Sequence, residues 1–124
     1  MHCEDNQITN LDVSKNTALT FLLCNKNIIT GLNLKNNITL GSLSCRENLI
    51  TDLDLGNNVM LHRVECSIND LSSTALNNLF KTLHGDKIKG TEKGIYVDRN
   101  PGSYLCDISI AETKGWSVTY KFPP

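Results

Sequence analysis

The chain has 124 residues, a net charge of −1 at pH 7, 40% hydrophobic residues and only 6% aromatic residues. A length of this order predicts one domain, spanning 1–124. The near-zero charge disfavours nucleic acid or an anionic membrane as partner. No run of about 18 apolar residues and no charged leader followed by an apolar stretch occurs, so we predict no membrane insertion and no signal peptide in this sequence.

Four of the five cysteines recur every 21 residues, at Cys3, Cys24, Cys45 and Cys66. The same shift aligns further columns: Asn6, Asn27, Asn48 and Asn69; Ile8, Ile29, Ile50 and Leu71; Leu11, Leu32 and Leu53; Val13, Leu34 and Leu55; Asn16, Asn37 and Asn58; Leu19, Leu40 and Leu61. A fixed period between about 20 and 50 residues indicates stacked structural repeats. Such folds present an extended surface instead of enclosing a catalytic pocket.

Each 21-residue unit contains two copies of a shorter pattern, LxxLxLxxN, in which Ile, Val or Cys can replace Leu. The six copies span 8–16, 19–27, 29–37, 40–48, 50–58 and 61–69. Within LxL, alternation directs Leu22 and Cys24 inward and Leu23 outward. We therefore expect short parallel strands on both sides of each coil, with like residues stacked from one coil to the next.

Six registered copies of this pattern, within 3–71, resemble the leucine-rich repeat family and its nested 21-residue type. The resemblance implies an α/β-class solenoid of short parallel strands. It also implies a secreted or cell-surface bacterial protein that interacts with other proteins or with a host surface.

The cysteine and asparagine columns have structural interpretations. A spacing of 21 residues does not suit a zinc site, so we interpret the cysteines as reduced, buried thiols. Asparagine amides can satisfy the backbone groups of buried turns. Asn37-Ile38-Thr39 is formally a glycosylation sequon, but Asn37 belongs to the inward column, and we expect it to be unmodified.

The repeat stops at Leu71, and 72–124 follows a helix, strand, helix, strand pattern. We predict a helix from Ser72–Thr74 that stops at Gly85. Inward-facing strands are predicted in IYVDRN (95–100) and around Trp116, Val118 and Tyr120. A second helix is predicted over Ser103 to Lys114, with Leu105, Ile108 and Ala111 inward and Cys106 buried.

The segments IYVDRNPG and KGWSV resemble the C-terminal cap of bacterial repeat arrays. A cap protects the strand edge and the apolar columns of the last coil. No N-terminal cap is evident, because the sequence starts in the middle of a unit. We expect either further repeats upstream or self-association through the open end.

No catalytic motif is present. The three histidines are scattered, and no GxSxG, HExxH or GxxxxGK sequence occurs. Asp52 and Asp54 lie two residues apart, but they lack the spacing and glutamate of a calcium loop. We therefore predict a protein that is not an enzyme and that uses no cofactor and no metal.

The outward positions of the strands are the remaining candidate site. Exposed apolar, aromatic and arginine side chains are typical of contact surfaces. The candidates are Phe21, Leu23, Arg46, Arg63, Glu65, Tyr96 and Arg99. We predict a protein or peptide ligand. Alternatives are a structural spacer within a longer adhesin and a glycan-binding face, which would favour more exposed aromatic residues than Phe21 and Tyr96.

Overall fold

The computed structural model describes residues 1–120, in which one five-stranded parallel sheet is flanked by two helices. The strands are β1 (Phe21–Leu23), β2 (Ser42–Ser44), β3 (Arg63–Glu65), β4 (Lys93–Tyr96) and β5 (Trp116–Thr119). The helices are α1 (Ser73–Thr82) and α2 (Ser109–Glu112). The strands lie side by side in sequence order, so the chain advances by one coil per strand.

Like residues stack across the strands, as the 21-residue period predicts. Leu22 pairs with Leu43, Leu43 with Val64, and Val64 with Ile95, and all four side chains are fully buried. Burying an aliphatic side chain of this size contributes about 1.5–3 kcal/mol. The predicted alternation is confirmed, because Leu22 and Cys24 are buried while Leu23 on the other side is only half-buried.

The prediction of strands on both sides of the coil is wrong. The half-repeats at 11–13, 32–34 and 53–55 contain no strand. Their middle residues Asp12, Asn33 and Asp54 accept hydrogen bonds from backbone N–H groups two residues further on, at 2.9, 3.2 and 2.8 Å. These short polar side chains form local turns that compete with strand pairing.

Buried asparagines link the coils. The Oδ1 of Asn48 accepts from the backbone N–H of Ile29 at 3.0 Å, and its Nδ2 donates to the carbonyls of Cys24 and Cys45 at 3.0 and 3.1 Å. On the other side of the coil, Asn37 is fully buried and its Nδ2 donates to the carbonyls of Val13 and Asn16. The inward position predicted for Asn37 is therefore confirmed, and its amide nitrogen is shielded from solvent.

The cysteine column forms a ladder beneath the strands. Cys24, Cys45 and Cys66 are fully buried, and all five cysteines are free thiols. Burial raises the pKa of Cys24 to about 12 and also raises the pKa values of Cys45 and Cys66. These thiols are therefore neutral and unreactive at pH 7.

One position of each coil has a left-handed backbone. Asp5, Lys26, Glu47, Ile68 and Arg99 have φ angles between 55° and 57°. The backbone N–H of Ile68 donates to the carbonyl of Asp98 in the next coil at 2.9 Å, which fixes this conformation. A β-branched residue is strained there, whereas asparagine adopts the conformation readily.

Replacing Ile68 with asparagine should therefore raise the free energy of unfolding by about 0.5–1 kcal/mol, measured by urea denaturation. Lys26→Asn is the matched control, because lysine is not β-branched and should gain less. Equal gains in the two variants would contradict strain at Ile68 as the cause.

The first predicted helix is confirmed at its start and wrong at its end. Ser72 caps α1 by accepting from the backbone N–H of Ala75 at 3.1 Å. The helix ends at Thr82, before Gly85, because Lys114 crosses to this end and donates to the carbonyl of Leu83 at 2.9 Å. A side-chain cation satisfies the helix end where a glycine was expected.

The second predicted helix is much shorter than expected. Residues 101–106 form turns, only Ser109–Glu112 is helical, and Leu105 is 80% exposed. Ser103 is the cause, because its hydroxyl donates to the carbonyl of Val97 and accepts from the N–H of Asn100. Cys106 lies outside the helix and is half-buried, so its predicted position and full burial are also wrong.

A buried lysine joins β4 to the rest of this C-terminal segment. Lys93 is buried, and its Nζ donates to the carbonyls of Asp86 and Lys114 at 2.8 Å each and to that of His84 at 3.4 Å. Burial lowers the pKa of Lys93, while the nearby carboxylate of Asp86 acts in the opposite direction. The indole N–H of Trp116 donates to the same His84 carbonyl at 2.9 Å, which draws β5 against this cluster.

Candidate interaction surface

The outward residues of the five strands form two columns across one face of the sheet, which we call the strand face. In register, the first column is Phe21, Ser42, Arg63, Gly94 and Ser117, and the second is Leu23, Ser44, Glu65, Tyr96 and Thr119. Strands about 4.8 Å apart make this face roughly 20 Å wide. The face is therefore wide enough for a peptide or for a small patch of a protein.

The β1 end of the strand face is apolar. Phe21 is 41% exposed, and Leu23 beside it is half-buried. His2 forms a parallel bridge with Leu23, and its ring packs edge-on against Phe21 with 5.4 Å between ring centroids. The contact with His2 therefore holds the Phe21 ring in place at one end of the strand face.

The middle of the strand face carries small polar side chains. Ser42 and Ser44 carry the two columns across β2, and the Ser44 hydroxyl donates to Oδ1 of Asn25 at 2.7 Å. Arg46 lies just beyond β2, where it is half-buried and pairs with Glu47 at 3.1 Å. The charge of Arg46 is therefore already balanced.

The β4 side of the strand face is aromatic and cationic. The Arg63 guanidinium lies over the Tyr96 ring, with Cζ 4.7 Å from the centroid, and its Nη1 donates to the Tyr96 hydroxyl at 3.2 Å. Such stacking orders an otherwise flexible side chain. Glu65 is half-buried and accepts from the N–H of Ser67 at 3.1 Å.

The seven predicted residues are not all on the sheet. Phe21, Leu23, Arg63, Glu65 and Tyr96 share the strand face, whereas Arg46 lies at its border. Arg99 is displaced, since it occupies the left-handed turn after β4 with a φ of 57°. Because β4 ends at Tyr96, Arg99 lies beyond the strand, and the prediction that Arg99 lies on the strand face is wrong.

Sequence reasoning missed three residues of the strand face, Gly94, Ser117 and Thr119, and also His2, which lies beside it next to β1. His2 lies 21 residues before Leu23, so the repeat period itself contained this signal. Gly94, Ser117 and Thr119 follow the irregular C-terminal segment, where no fixed period relates them to the repeats. Only the strand register places them.

The strand face carries serine, threonine, tyrosine, arginine and glutamate side chains above the cysteine ladder. The thiols below it are buried and neutral, as described above. Within residues 1–120, no group of three or more histidine, cysteine or acidic side chains is positioned to hold a metal ion. Over the same range, no helix has both the length and the apolar character needed to span a membrane.

A solved structure shares this architecture: "Functional domain of InlJ from Listeria monocytogenes includes a cysteine ladder". The similarity covers 90% of this chain at 36% identity, with a TM-score of 0.65. InlJ is an internalin, a leucine-rich repeat protein.

The chain has a leucine-rich-repeat-like fold. It spans 23% of the length of the InlJ structure, so the similarity concerns one segment of that protein. No family model matches the chain, and neither does any curated protein. The repeat assignment therefore depends on the structural similarity together with the 21-residue register.

Proposed function

We propose that this chain is a non-enzymatic protein-interaction module that binds a protein or peptide through the strand face. We further propose that it is of the nested 21-residue bacterial type, that 72–124 is a C-terminal cap, and that the protein acts outside the cell or on its surface. The similarity to an internalin supports a protein-interaction role and a location outside the cell.

The observation that carries the proposal is the contrast between the two sides of the sheet. The inward side chains are fully buried apolar residues, whereas the outward side presents Phe21 at one end and the stacked Arg63–Tyr96 pair near the other. Aromatic and arginine side chains dominate the binding energy of most protein interfaces. Because the stacked coils already fix them, little conformational entropy is lost on binding.

The test is capture of extracellular and cell-envelope proteins by the intact chain and by the triple variant Phe21→Ala, Arg63→Ala, Tyr96→Ala. The matched control is Lys15→Ala, Lys35→Ala, Asp52→Ala, three exposed positions away from the strand face.

We expect the strand-face variant to weaken binding of the purified partner by about tenfold or more, and the control to leave it unchanged. Both variants should unfold within about 1 kcal/mol of the parent. Equal binding by the parent and both variants would contradict the proposal.

A second candidate function is that of a structural spacer. The contacts at the N-terminal side of the sheet favour it. Residues 1–3 bond to β1 as a further coil would, with Leu23 N–H donating to the Met1 carbonyl and Cys3 N–H to the Leu23 carbonyl, at 2.9 Å each. Met1, Cys3 and Ile8 are only half-buried there.

At this end the half-buried Met1, Cys3 and Ile8 leave apolar surface that a second copy of the chain can cover. We propose self-association there as the alternative interaction, and sedimentation equilibrium tests it. A concentration-dependent dimer that is lost in Ile8→Lys supports it, and a monomer at every concentration contradicts it.

A further inference from the structure

A small cleft opens on the strand face above Gly94, and we call it the Gly94 notch. Gly94 lies in register between Arg63 and Ser117, so the first column has a gap where every other strand carries a side chain. A Cβ atom built on Gly94 would meet nothing closer than Tyr96 Cε2 at 3.9 Å. The notch has a volume of about 270 Å³, comparable to one or two side chains.

The notch is bordered by a cation without an anionic partner. The ion pairs among residues 1–120 join His2 to Glu4, Lys26 to Asp5 and Arg46 to Glu47, and none includes Arg63. Arg63 donates one hydrogen bond to the Tyr96 hydroxyl, which leaves the other N–H groups of its guanidinium available. Its stacking on Tyr96 holds this charge in place.

Neutral hydroxyl groups complete the opposite wall. Ser117 and Thr119 line the notch from β5, and the Tyr96 hydroxyl, which accepts from Arg63, retains its own proton for donation. Lys93 also borders the notch, but its Nζ is engaged by three carbonyls. His62 borders the notch as well, and Lys93 and Glu92 carry opposite charges there. Arg63 is therefore the cation whose N–H groups remain free to bind an entering group.

We propose that the Gly94 notch binds the carboxylate of an aspartate or glutamate side chain on the protein partner. The proposal rests on the strand face being the binding surface and specifies the chemistry recognised there. Arginine pairs with carboxylates through two parallel hydrogen bonds, and hydroxyls supply further donors. A carboxylate on a short stem also fits a cleft of this size.

The negative charge of Glu92 predicts the direction in which a substitution there changes ligand binding. Glu92, just before β4, is exposed and also lines the notch. Its carboxylate repels an anion and attracts a cation. Glu92→Gln should therefore tighten binding of a carboxylate and weaken binding of an ammonium or guanidinium group.

The experiment is an NMR titration of the isotopically labelled chain with the blocked tripeptide acetyl-Gly-Glu-Gly-amide, and with the glutamine and lysine equivalents. We expect the glutamate peptide to shift the amide signals of Gly94, Ser117 and Thr119, with a Kd on the order of millimolar. The glutamine and lysine peptides should bind about tenfold more weakly or not at all.

Two variants with matched controls locate the site. Arg63→Gln should weaken binding of the glutamate peptide about tenfold or more, while Arg99→Gln, at an arginine that lies beyond the end of β4, should not. Gly94→Val should fill the notch and abolish binding without unfolding the chain, because valine suits a strand and its Cβ has room. Gly31→Val, whose Cβ meets nothing within 4 Å, should bind like the parent.

Each outcome decides the proposal. Selective binding of the glutamate peptide that is lost in Arg63→Gln and Gly94→Val and strengthened in Glu92→Gln supports it. Absence of shifts, equal binding of the glutamine peptide or weakening by Glu92→Gln overturns it. The module function stands or falls separately, because a partner lost with the Phe21, Arg63 and Tyr96 triple variant but retained by Gly94→Val keeps the strand face and rejects the notch.

Discussion

Raising the pH from about 8.5 to about 10.5 should unfold the chain, because the cysteine ladder keeps its protons only in the folded state. The thiols of Cys24, Cys45 and Cys66 are fully buried. Burial raises the pKa of Cys24 from 9.0 to about 12 and moves the pKa values of Cys45 and Cys66 in the same direction. In the unfolded chain the same groups ionise near 9.0.

The sign follows from proton counting. Between pH 9 and the folded pKa values, the unfolded chain binds fewer protons than the folded chain, so stability falls as pH rises. Each buried thiol lowers the free energy of unfolding by about 1.4 kcal/mol per pH unit in this range. Three thiols therefore give a slope of about −4 kcal/mol per pH unit. A loss of about 6 kcal/mol by pH 10.5 is comparable to the whole stability of many small domains.

The measurement is the free energy of unfolding in urea, with reductant present, at intervals between about pH 8 and about pH 10.5. The triple variant Cys24→Ala, Cys45→Ala, Cys66→Ala should be less stable at pH 8, because it loses apolar volume, yet its slope should be close to flat. The partly exposed Cys3 and Cys106 remain in both proteins. An equally steep slope in the triple variant would assign alkaline unfolding to other groups.

Replacing Gly102 with alanine should destabilise the chain by about 3 kcal/mol or more. Gly102 packs against the start of α1, and a Cβ atom there would overlap the backbone of Ser72 and Ser73. These residues hold the N-cap of α1, and the N–H of Gly102 donates to the carbonyl of Leu71 at 2.9 Å. The overlapping atoms belong to the backbone, which cannot move aside by a change of rotamer.

Gly85→Ala is the matched control for this substitution. The nearest atom to a Cβ on Gly85 is the Cβ of Lys114 at 4.0 Å, an ordinary contact. We expect this variant to stay within about 0.5 kcal/mol of the parent in urea denaturation followed by Trp116 fluorescence. Similar stabilities for the Gly102 and Gly85 variants would refute the close approach of this turn to α1.

Local patterns in the sequence account for the repeat half of the fold. A 21-residue period forces identical columns to stack, because neighbouring coils must bury the same face against each other. The inward positions of Leu22, Cys24 and Asn37 follow from that period and from strand alternation. These features depend on residues close in sequence, and for this reason they could be read without coordinates.

The C-terminal segment was predicted less well, because its elements are fixed by long-range contacts. Lys114 ends α1 from 31 residues away, and Ser103 shortens the second helix by bonding to Val97. No local signal distinguishes a lysine that caps a helix from one in solvent. The helix boundaries therefore depend on contacts with residues that are distant in sequence.

The sequence by itself determined that the chain is a stack of 21-residue coils with buried thiols and asparagines and one outward face. Only the tertiary structure decided which half of each coil forms a strand. In the other half, local turns at Asp12, Asn33 and Asp54 compete with strand pairing. The tertiary structure also decided that Arg63 stacks on Tyr96 beside an empty position at Gly94. Residues of β3, β4 and β5 form that arrangement, although an irregular segment separates β3 from β4 in the chain. The sequence could not predict it, because strand register brings these residues together and the repeat period does not extend to them.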